Sequence, residues 1–276
     1  MKVTLRGTRG SVGRAGPETA GYGGDTSCVE VRADDGTVLV LDAGSGIARL
    51  NSVFDPCPSR IDILLTPLHM DHIQGLGFFQ PLFRPDVTVY LWGPVSSTMD
   101  LGERVSRYLS PPLFPVSFRD LPNVHPVDVR PGSFDIGPFS IQTDLVIHPG
   151  PTLGYRVSEG GMSMAYLPDH EPALGNREFP DSPVWTSGHD LCAGVDLLVH
   201  DFQYTADEYP ERQGWGHSSM EHTLALATLA KIDRLVTFLH DPEHDDAMLD
   251  QAHAELALRD LSFDLIPGRG GLEVEV

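Results

Sequence analysis

The sequence is poor in cysteine and has no long apolar run. It contains three cysteines in 276 residues, Cys28, Cys57 and Cys192, with no CxxC pair among them. An odd number of widely spaced cysteines does not make a disulfide framework and favours a reducing cytoplasm. No stretch reaches the roughly 18 consecutive apolar residues of a membrane span, and the N-terminus lacks the apolar core of a signal peptide. We therefore expect a cytoplasmic protein without a membrane segment.

Positive charge is also scarce. The chain has 19 Lys and Arg residues against 39 Asp and Glu residues, which gives a formal net charge of −20. Because Lys and Arg contacts to phosphate dominate nucleic-acid affinity, long nucleic acids are not expected as partners. A small phosphate ester held at metal ions needs no basic surface, so this class of substrate stays open.

Short runs of Val, Ile and Leu bounded by turn residues predict buried strands. These runs cover residues 37–41, 61–65, 87–92, 139–147, 163–167, 196–199 and 234–239. Helices are predicted at 46–53, 101–109, 219–231 and 247–259, and the proline-rich stretch 111–126 predicts a surface excursion. Strands outnumber helices, so two sheets flanked by helices fit better than one doubly wound sheet.

Most of these predicted strands end at, or just before, a His or Asp residue. The residues at or just after the strand ends are Asp42; His69, Asp71 and His72; His148; Asp169; His200 and Asp201; and His240 and Asp241. Ligands bind beyond the carboxyl ends of strands in sheets with α/β connections, and imidazole and carboxylate are donors for divalent metals. One such residue alone is more often a hydrogen-bonded structural His or a turn Asp. Six such endings together predict a convergent metal site.

The order of the motifs resembles that of the metallo-β-lactamase superfamily, most closely its RNase Z-like and cyclic-phosphodiesterase-like hydrolases. The resemblance covers nearly the whole chain, and its motifs are GTRGSVG, GGDTSCVEV, LDAGSG, HMDH, HPGPTLGYR, YLPDHE, GHSS and FLHDP. They are specific through their order and spacing. The resemblance implies an α/β protein with a four-layer αββα sandwich, formed as a single domain over residues 1–276 with a proline-rich excursion around 96–126.

The resemblance also implies a ligand set for one or two divalent ions, with zinc first and manganese second. In it, His69 and His148 bind the first metal, Asp71, His72 and His240 bind the second, and Asp169 bridges the two. Asp42 would orient the His loop from behind the ligands. His200 and Ser219 are assigned to the same surrounding shell. Dimers are frequent in the family, so the resemblance also implies that the chain could form a homodimer.

Two positions depart from the family pattern. Pro67 stands where the motif His-x-His-x-Asp-His has its first His, and Ser219 stands where the phosphodiesterases usually carry Thr. Proline has no donor atom, yet three protein ligands and a water make up the usual catalytic zinc site. The loss of one imidazole weakens the first site and widens its preference towards manganese, and a water, His170 or His200 could take the position. We expect an altered but functional site.

His217 distinguishes between types of hydrolase. It precedes Ser218-Ser219-Met220-Glu221, which has the form of a capping box for the helix that runs to Lys231. A helix N-terminus favours an anion such as phosphate, although His217 could also simply pack there. Our hypothesis is hydrolysis of a phosphodiester by a metal-bound hydroxide. Asp71 or Asp169 would take a proton, and His217 would protonate or stabilise the leaving oxygen.

The substrate is less well defined by the sequence. The net charge of −20 favours a small phosphodiester such as a cyclic nucleotide over tRNA. One alternative is a lactone or thioester hydrolase that uses the same site. An acyl substrate of that kind has less need of an anion site at His217. Another is a metal-poor, non-catalytic binding protein that kept the fold after losing the His at position 67.

Overall fold

Two seven-stranded β-sheets face each other in the structure, a computed structural model that describes residues 1–173, 176 and 178–276. The first sheet contains, in order across it, β14 (Glu273–Glu275), β1 (Lys2–Gly7), β2 (Cys28–Arg32), β3 (Val38–Leu41), β4 (Arg60–Leu64), β5 (Thr88–Pro94) and β6 (Val124–Val129). Strands β3 to β6 are parallel to their neighbours, whereas β14, β1, β2 and β3 pair antiparallel.

The second sheet has the same size and a similar division. It contains, in order, β13 (Asp264–Ile266), β12 (Arg234–Phe238), β11 (Leu197–Asp201), β10 (Met162–Leu167), β9 (Leu153–Glu159), β8 (Phe139–Leu145) and β7 (Gly132–Ile136). Strands β10 to β13 are parallel, and β7 to β10 are antiparallel. The parallel half of each sheet supplies the strand ends that carry His and Asp, except for His148, which follows the antiparallel strand β8.

The helices are short. The α-helices are α1 (Met70–Ile73), α2 (Leu101–Val105), α3 (His189–Cys192), α4 (Tyr209–Arg212), α5 (Met220–Ala230) and α6 (Asp246–Leu256). Turns of 3₁₀-helix lie at Pro17–Thr19, Ser45–Ser52, Leu76–Phe78, Gln80–Phe83, Phe118–Asp120 and Pro183–Trp185. No helix in the part of the chain that the structure describes is long and apolar enough to cross a membrane.

Alternation along the strands explains the layers. In β3, Leu39 and Leu41 belong to the apolar cluster between the sheets, while Val38 and Val40 belong to a second cluster on the outer face. Successive side chains of a strand point to opposite faces, so a strand buried on both faces is apolar throughout. A third cluster packs α5 and α6 against the outside of the second sheet. The four-layer αββα architecture is therefore confirmed.

The local predictions differ from the structure in a few places. The helix predicted at 46–53 is 3₁₀, and the one predicted at 101–109 ends at Val105 after a capping box between Asp100 and Glu103. Strands β1, β2, β6, β7, β9, β13 and β14 lie outside the apolar runs from which strands are predicted. The proline-rich segment ends in β6, where Pro126 pairs with Leu91. This proline is tolerated because β6 is the edge strand of its sheet.

Candidate metal centre

The loop after β4 carries the HxDH motif. His69 is the residue before α1 and has an extended backbone, while Asp71 and His72 lie within the helix. The His69 side chain is 45% exposed, whereas His72 is fully buried. One short turn of helix thus presents a ligand-type side chain to the surface and two to the interior.

Three residues that are distant in the chain bring donor atoms together. The ligand atoms of His69, His148 and Asp169 all lie within 4.8 Å of one another. His148 Nε2 is 3.2 Å from Asp169 Oδ2 and 3.1 Å from His69 Nδ1. Two imidazoles and a carboxylate in this arrangement are a donor set for one divalent ion.

A second group of donors shares Asp169. His72 Nε2 lies 3.0 Å from Asp169 Oδ1 and 3.4 Å from Asp71 Oδ2. His72 Nε2 and Asp169 Oδ1 are both buried, and neither has a hydrogen-bond partner among the described residues. Buried polar atoms without partners are costly, so this pair of facing atoms needs another stabilising contact. A divalent cation between them would supply it, and the residues present therefore fit a metal.

Asp42 fixes the orientation of His72. Its Oδ2 accepts hydrogen bonds from His72 Nδ1 at 2.8 Å and from the hydroxyls of Thr66 at 2.7 Å and Tyr166 at 2.9 Å. Its Oδ1 accepts the Thr66 backbone N–H at 2.8 Å. A carboxylate on the far nitrogen of a ligand His sets the tautomer, so Nε2 is left facing Asp169.

His148 is oriented by the loop before α5. Its Nδ1 donates to the Gly216 carbonyl at 2.7 Å, which turns Nε2 towards Asp169. Gly216 has φ +91°, and a Cβ there would lie 2.7 Å from His148 Nδ1, so the position requires glycine. The buried Glu171 carboxylate accepts the N–H groups of Gly214 and Gly216 at 2.8 and 2.9 Å. Glu171 therefore fixes the loop whose Gly216 carbonyl accepts the hydrogen bond from His148.

The electrostatics of the centre are dominated by burial and by His–carboxylate pairs. Burial opposes ionisation of Asp169, but His72, His69 and His148 outweigh it and hold its pKa well below the usual range. Burial likewise disfavours charge on His72, yet Asp169, Asp71 and Asp42 raise its pKa well above the ordinary value. For His148, burial wins and lowers the pKa to about 4. A neutral imidazole is the form that binds a metal.

His217 lies next to this centre. Its Nδ1 is 2.7 Å from Asp201 Oδ2, at the end of β11, and its ring centroid is 4.8 Å from that of His148. Burial lowers the His217 pKa, but the Asp201 carboxylate outweighs burial and raises it to about 9. The Asp201 carboxylate therefore favours the charged form of His217, while burial raises the pKa of Asp201 itself to about 6. The sequence marks Asp201 as a strand end but does not reveal its pairing with His217.

The helix after His217 is capped differently from the prediction. Ser219 is the N-cap residue of α5 and accepts the His222 N–H at 3.1 Å. The predicted capping box fails, because Glu221 lies at the second helical position and pairs with Arg259 instead. Ser218 donates to the His170 carbonyl. Ser219 thus acts on the helix start, and His217 lies just outside it as expected.

Three further predicted histidines have hydrogen-bond partners away from Asp169. His240 Nε2 donates to the Gly268 carbonyl at 2.8 Å, and its ring packs against Tyr22. The His240 Nδ1 atom is buried and has no hydrogen-bond partner among the described residues, so its role as a metal ligand stays a prediction. His170 Nδ1 and His200 Nε2 lie 2.8 Å apart and hydrogen-bond to each other. Neither of these two histidines is among the donors gathered as His69, His148 and Asp169.

The fold and the paired donor groups define the class of this protein, which is a metal-dependent hydrolase. The chain belongs to the metallo-β-lactamase superfamily, because the family model described as "Beta-lactamase superfamily domain" matches residues 37–240. The superfamily implies divalent metals at this site.

Similar proteins support this assignment. Ribonuclease Z of Mycobacterium avium is 29% identical over 269 residues, which cover 86% of this chain and 84% of that protein. Zn²⁺-bound PqqB from Methylobacterium extorquens has a TM-score of 0.74 at 16% identity, with full coverage of both chains. A diphosphatase of the PhnP family has a TM-score of 0.69 at 20% identity and covers 100% of this chain and 96% of its own. The two solved structures show a shared fold.

Proposed function

We propose that this hydrolase cleaves small phosphodiesters, such as a cyclic nucleotide. The observation that carries the proposal is the Asp201–His217 pair beside the donor cluster, with His217 Nδ1 2.7 Å from the carboxylate. A charged imidazole next to metal donors and outside a helix N-terminus suits an anionic substrate and a leaving alkoxide. A lactone or thioester makes less use of such a group.

The proposed ligands are the two groups that share Asp169. His69, His148 and Asp169 would hold one ion, and Asp71, His72 and Asp169 would hold the second. Zinc fits this mixture of imidazole and carboxylate, and manganese is the second choice. His240 is kept as a further proposed ligand of the second ion, through its buried Nδ1, which has no hydrogen-bond partner among the described residues.

The residues of the site have separate roles in the proposed reaction. Bound divalent ions would lower the pKa of a water and stabilise charge on the phosphoryl oxygens. Asp71, held by the Ser11 N–H at 2.7 Å, and Asp169 are the carboxylates placed to accept a proton. His217 delivers its Nε2 proton to the leaving oxygen, while Asp201 on Nδ1 keeps the imidazole charged and oriented. After the bond from phosphorus to the leaving oxygen breaks, which opens the ring of a cyclic diester, His217 is reprotonated from solvent.

The similar proteins favour phosphorus as the reacting atom. Ribonuclease Z and the diphosphatase are both named for hydrolysis of phosphate esters or anhydrides. The ribonuclease names make RNA the main competing substrate. The net charge of −20 argues for a small substrate, since a long polyanion would be repelled by this surface.

The proposal is tested by comparing bis(p-nitrophenyl) phosphate with p-nitrophenyl acetate, each with and without a chelator. We expect turnover of the diester that chelator abolishes and that zinc or manganese restores. Preferential turnover of the acetate would support the acyl hydrolase, and no turnover of either would support a binding protein. Comparing 3′,5′-cyclic AMP with a structured RNA then separates a small substrate from a long one.

A further inference from the structure

An apolar cavity of about 600 Å³ lies beside the His69 loop. Leu68, Met70 and Ile73 form one side of it, and Tyr108 and Leu113 form the other. Met70 is 52% exposed and Leu113 is 70% exposed. Large apolar side chains that are exposed around a concave surface indicate a ligand site, in contrast to single apolar residues scattered over a surface.

The cavity and the donor cluster share a stretch of chain. Leu68 and Met70 are the sequence neighbours of His69, and neighbouring Cα atoms are only about 3.8 Å apart. The cavity therefore lies beside the loop that presents the half-exposed His69 side chain. The cavity also has a positive edge, formed by Arg104 and Arg107.

The two arginines differ in how they are held. Arg104 is tied to Asp128 and to the Pro94 carbonyl. The Arg107 guanidinium makes no hydrogen bond or ion pair within the part of the chain that the structure describes, and the residue is exposed. Arg107 is therefore available to an anion or to the face of an aromatic ring.

The ring of His69 is linked to that of His217 through His148. The ring centroids of His69 and His148 are 5.0 Å apart, and those of His148 and His217 are 4.8 Å apart. Two of the residues that line the cavity flank His69 in the chain, so the cavity lies beside the most exposed of the three gathered donor residues.

We infer that this cavity binds an aromatic or similarly bulky apolar group of the phosphodiester, such as the base of a cyclic nucleotide. The inference rests on the proposed function. Tyr108 and Met70 suit a flat ring, because aromatic and thioether side chains pack well against aromatic faces. The apolar walls contribute affinity, and Arg107 attracts the charged phosphate.

The test uses two diesters with the same leaving group, methyl p-nitrophenyl phosphate and 1-naphthyl p-nitrophenyl phosphate. We expect kcat/KM to be about tenfold higher for the naphthyl ester, because partial burial of the ring stabilises its complex. Replacing Met70 and Leu113 together by serine should bring the ratio of the two values close to one. The matched control is Val184→Ser, an apolar residue 86% exposed outside the cavity, which should keep the wild-type ratio.

A binding measurement separates this inference from the proposed function. Calorimetry compares 1-naphthyl phosphate with methyl phosphate in the wild type and in the double variant. Tighter binding of the naphthyl compound, lost in the double variant, supports the cavity even if neither diester is cleaved, in which case only the proposed function fails. Equal kcat/KM and equal binding for both compounds would overturn the cavity and leave the phosphodiesterase intact. A preference that survives the double variant would also overturn it.

Discussion

His217 Nδ1 and Asp201 Oδ2 lie 2.7 Å apart, and this contact joins the loop before α5 to the end of β11. The pair lies next to the donor cluster, because the His217 ring packs against the ring of His148. In the proposed mechanism, the imidazole of this pair protonates the leaving oxygen.

The substitution His217→Ala should lower kcat for phosphodiester hydrolysis by about 100-fold or more, because it removes the proton donor. Metal content should stay at the wild-type level, since His217 is not one of the proposed ligands. Asp201→Asn, which keeps the shape of the side chain, should cause a smaller fall in kcat through loss of charge on His217. Steady-state kinetics and elemental analysis check both variants, and unchanged kcat in His217→Ala would refute its assigned role.

Asp42→Asn should weaken metal binding by about 10- to 100-fold, because the carboxylate that orients His72 is lost. Chelator competition measures the zinc affinity. The matched control is Asp62→Asn, which replaces another buried carboxylate of the same sheet, bonded to Arg60 and Trp92. Asp62→Asn should reduce stability without altering zinc affinity. Equal zinc affinities in the two variants would show that Asp42 does not act through His72.

Two glycines of one loop offer a matched pair. Gly214 and Gly216 both have positive φ, at +83° and +91°, but only a Cβ at Gly216 would collide with His148. Each change to alanine should reduce the free energy of unfolding by about 1 kcal/mol from backbone strain. Only Gly216→Ala should also weaken metal binding, since it displaces a donor. Thermal unfolding and metal titration of the two variants separate the effects.

Pro67→His should raise the zinc affinity of the first site, because it restores an imidazole where the family motif has one. Pro67 is buried, so the larger side chain carries a packing cost that unfolding measurements would show. Zinc titration of metal-free protein checks the prediction, with Pro67→Ala as the control for loss of the proline. An affinity no higher than that of Pro67→Ala would mean that the loop cannot direct a side chain from position 67 to the ion.

The sequence predicts the four layers and the identity of the donor residues better than it predicts the orientation of the donor side chains. Strand ends such as Asp169 and His148 are recognisable because apolar runs stop at ligand-type residues, and the family resemblance predicts that Asp42 lies behind the ligands. The orientation of His240 is not predictable in this way, because it depends on the Gly268 carbonyl, 28 residues away in the chain. The edge strand β6 is not predicted, because Pro126 opposes a strand and only its position at the sheet edge permits it.

The role of Glu171 shows the same limit. It lies two residues after Asp169, within the motif YLPDHE, and nothing local distinguishes it from a solvated acid. In the structure it is buried and accepts the N–H groups of Gly214 and Gly216. Such contacts arise from tertiary packing between distant loops, which a single sequence does not encode in any short pattern.

The central claim is that the donors around Asp169 hold metal despite Pro67, and metal content per chain tests it most directly. Protein purified without chelator and incubated with zinc or manganese would be measured by elemental analysis, together with Asp169→Asn. We expect one or two equivalents in the wild type and a clear loss in the variant, because Asp169 belongs to both donor groups. Wild-type protein that binds neither metal would contradict the account.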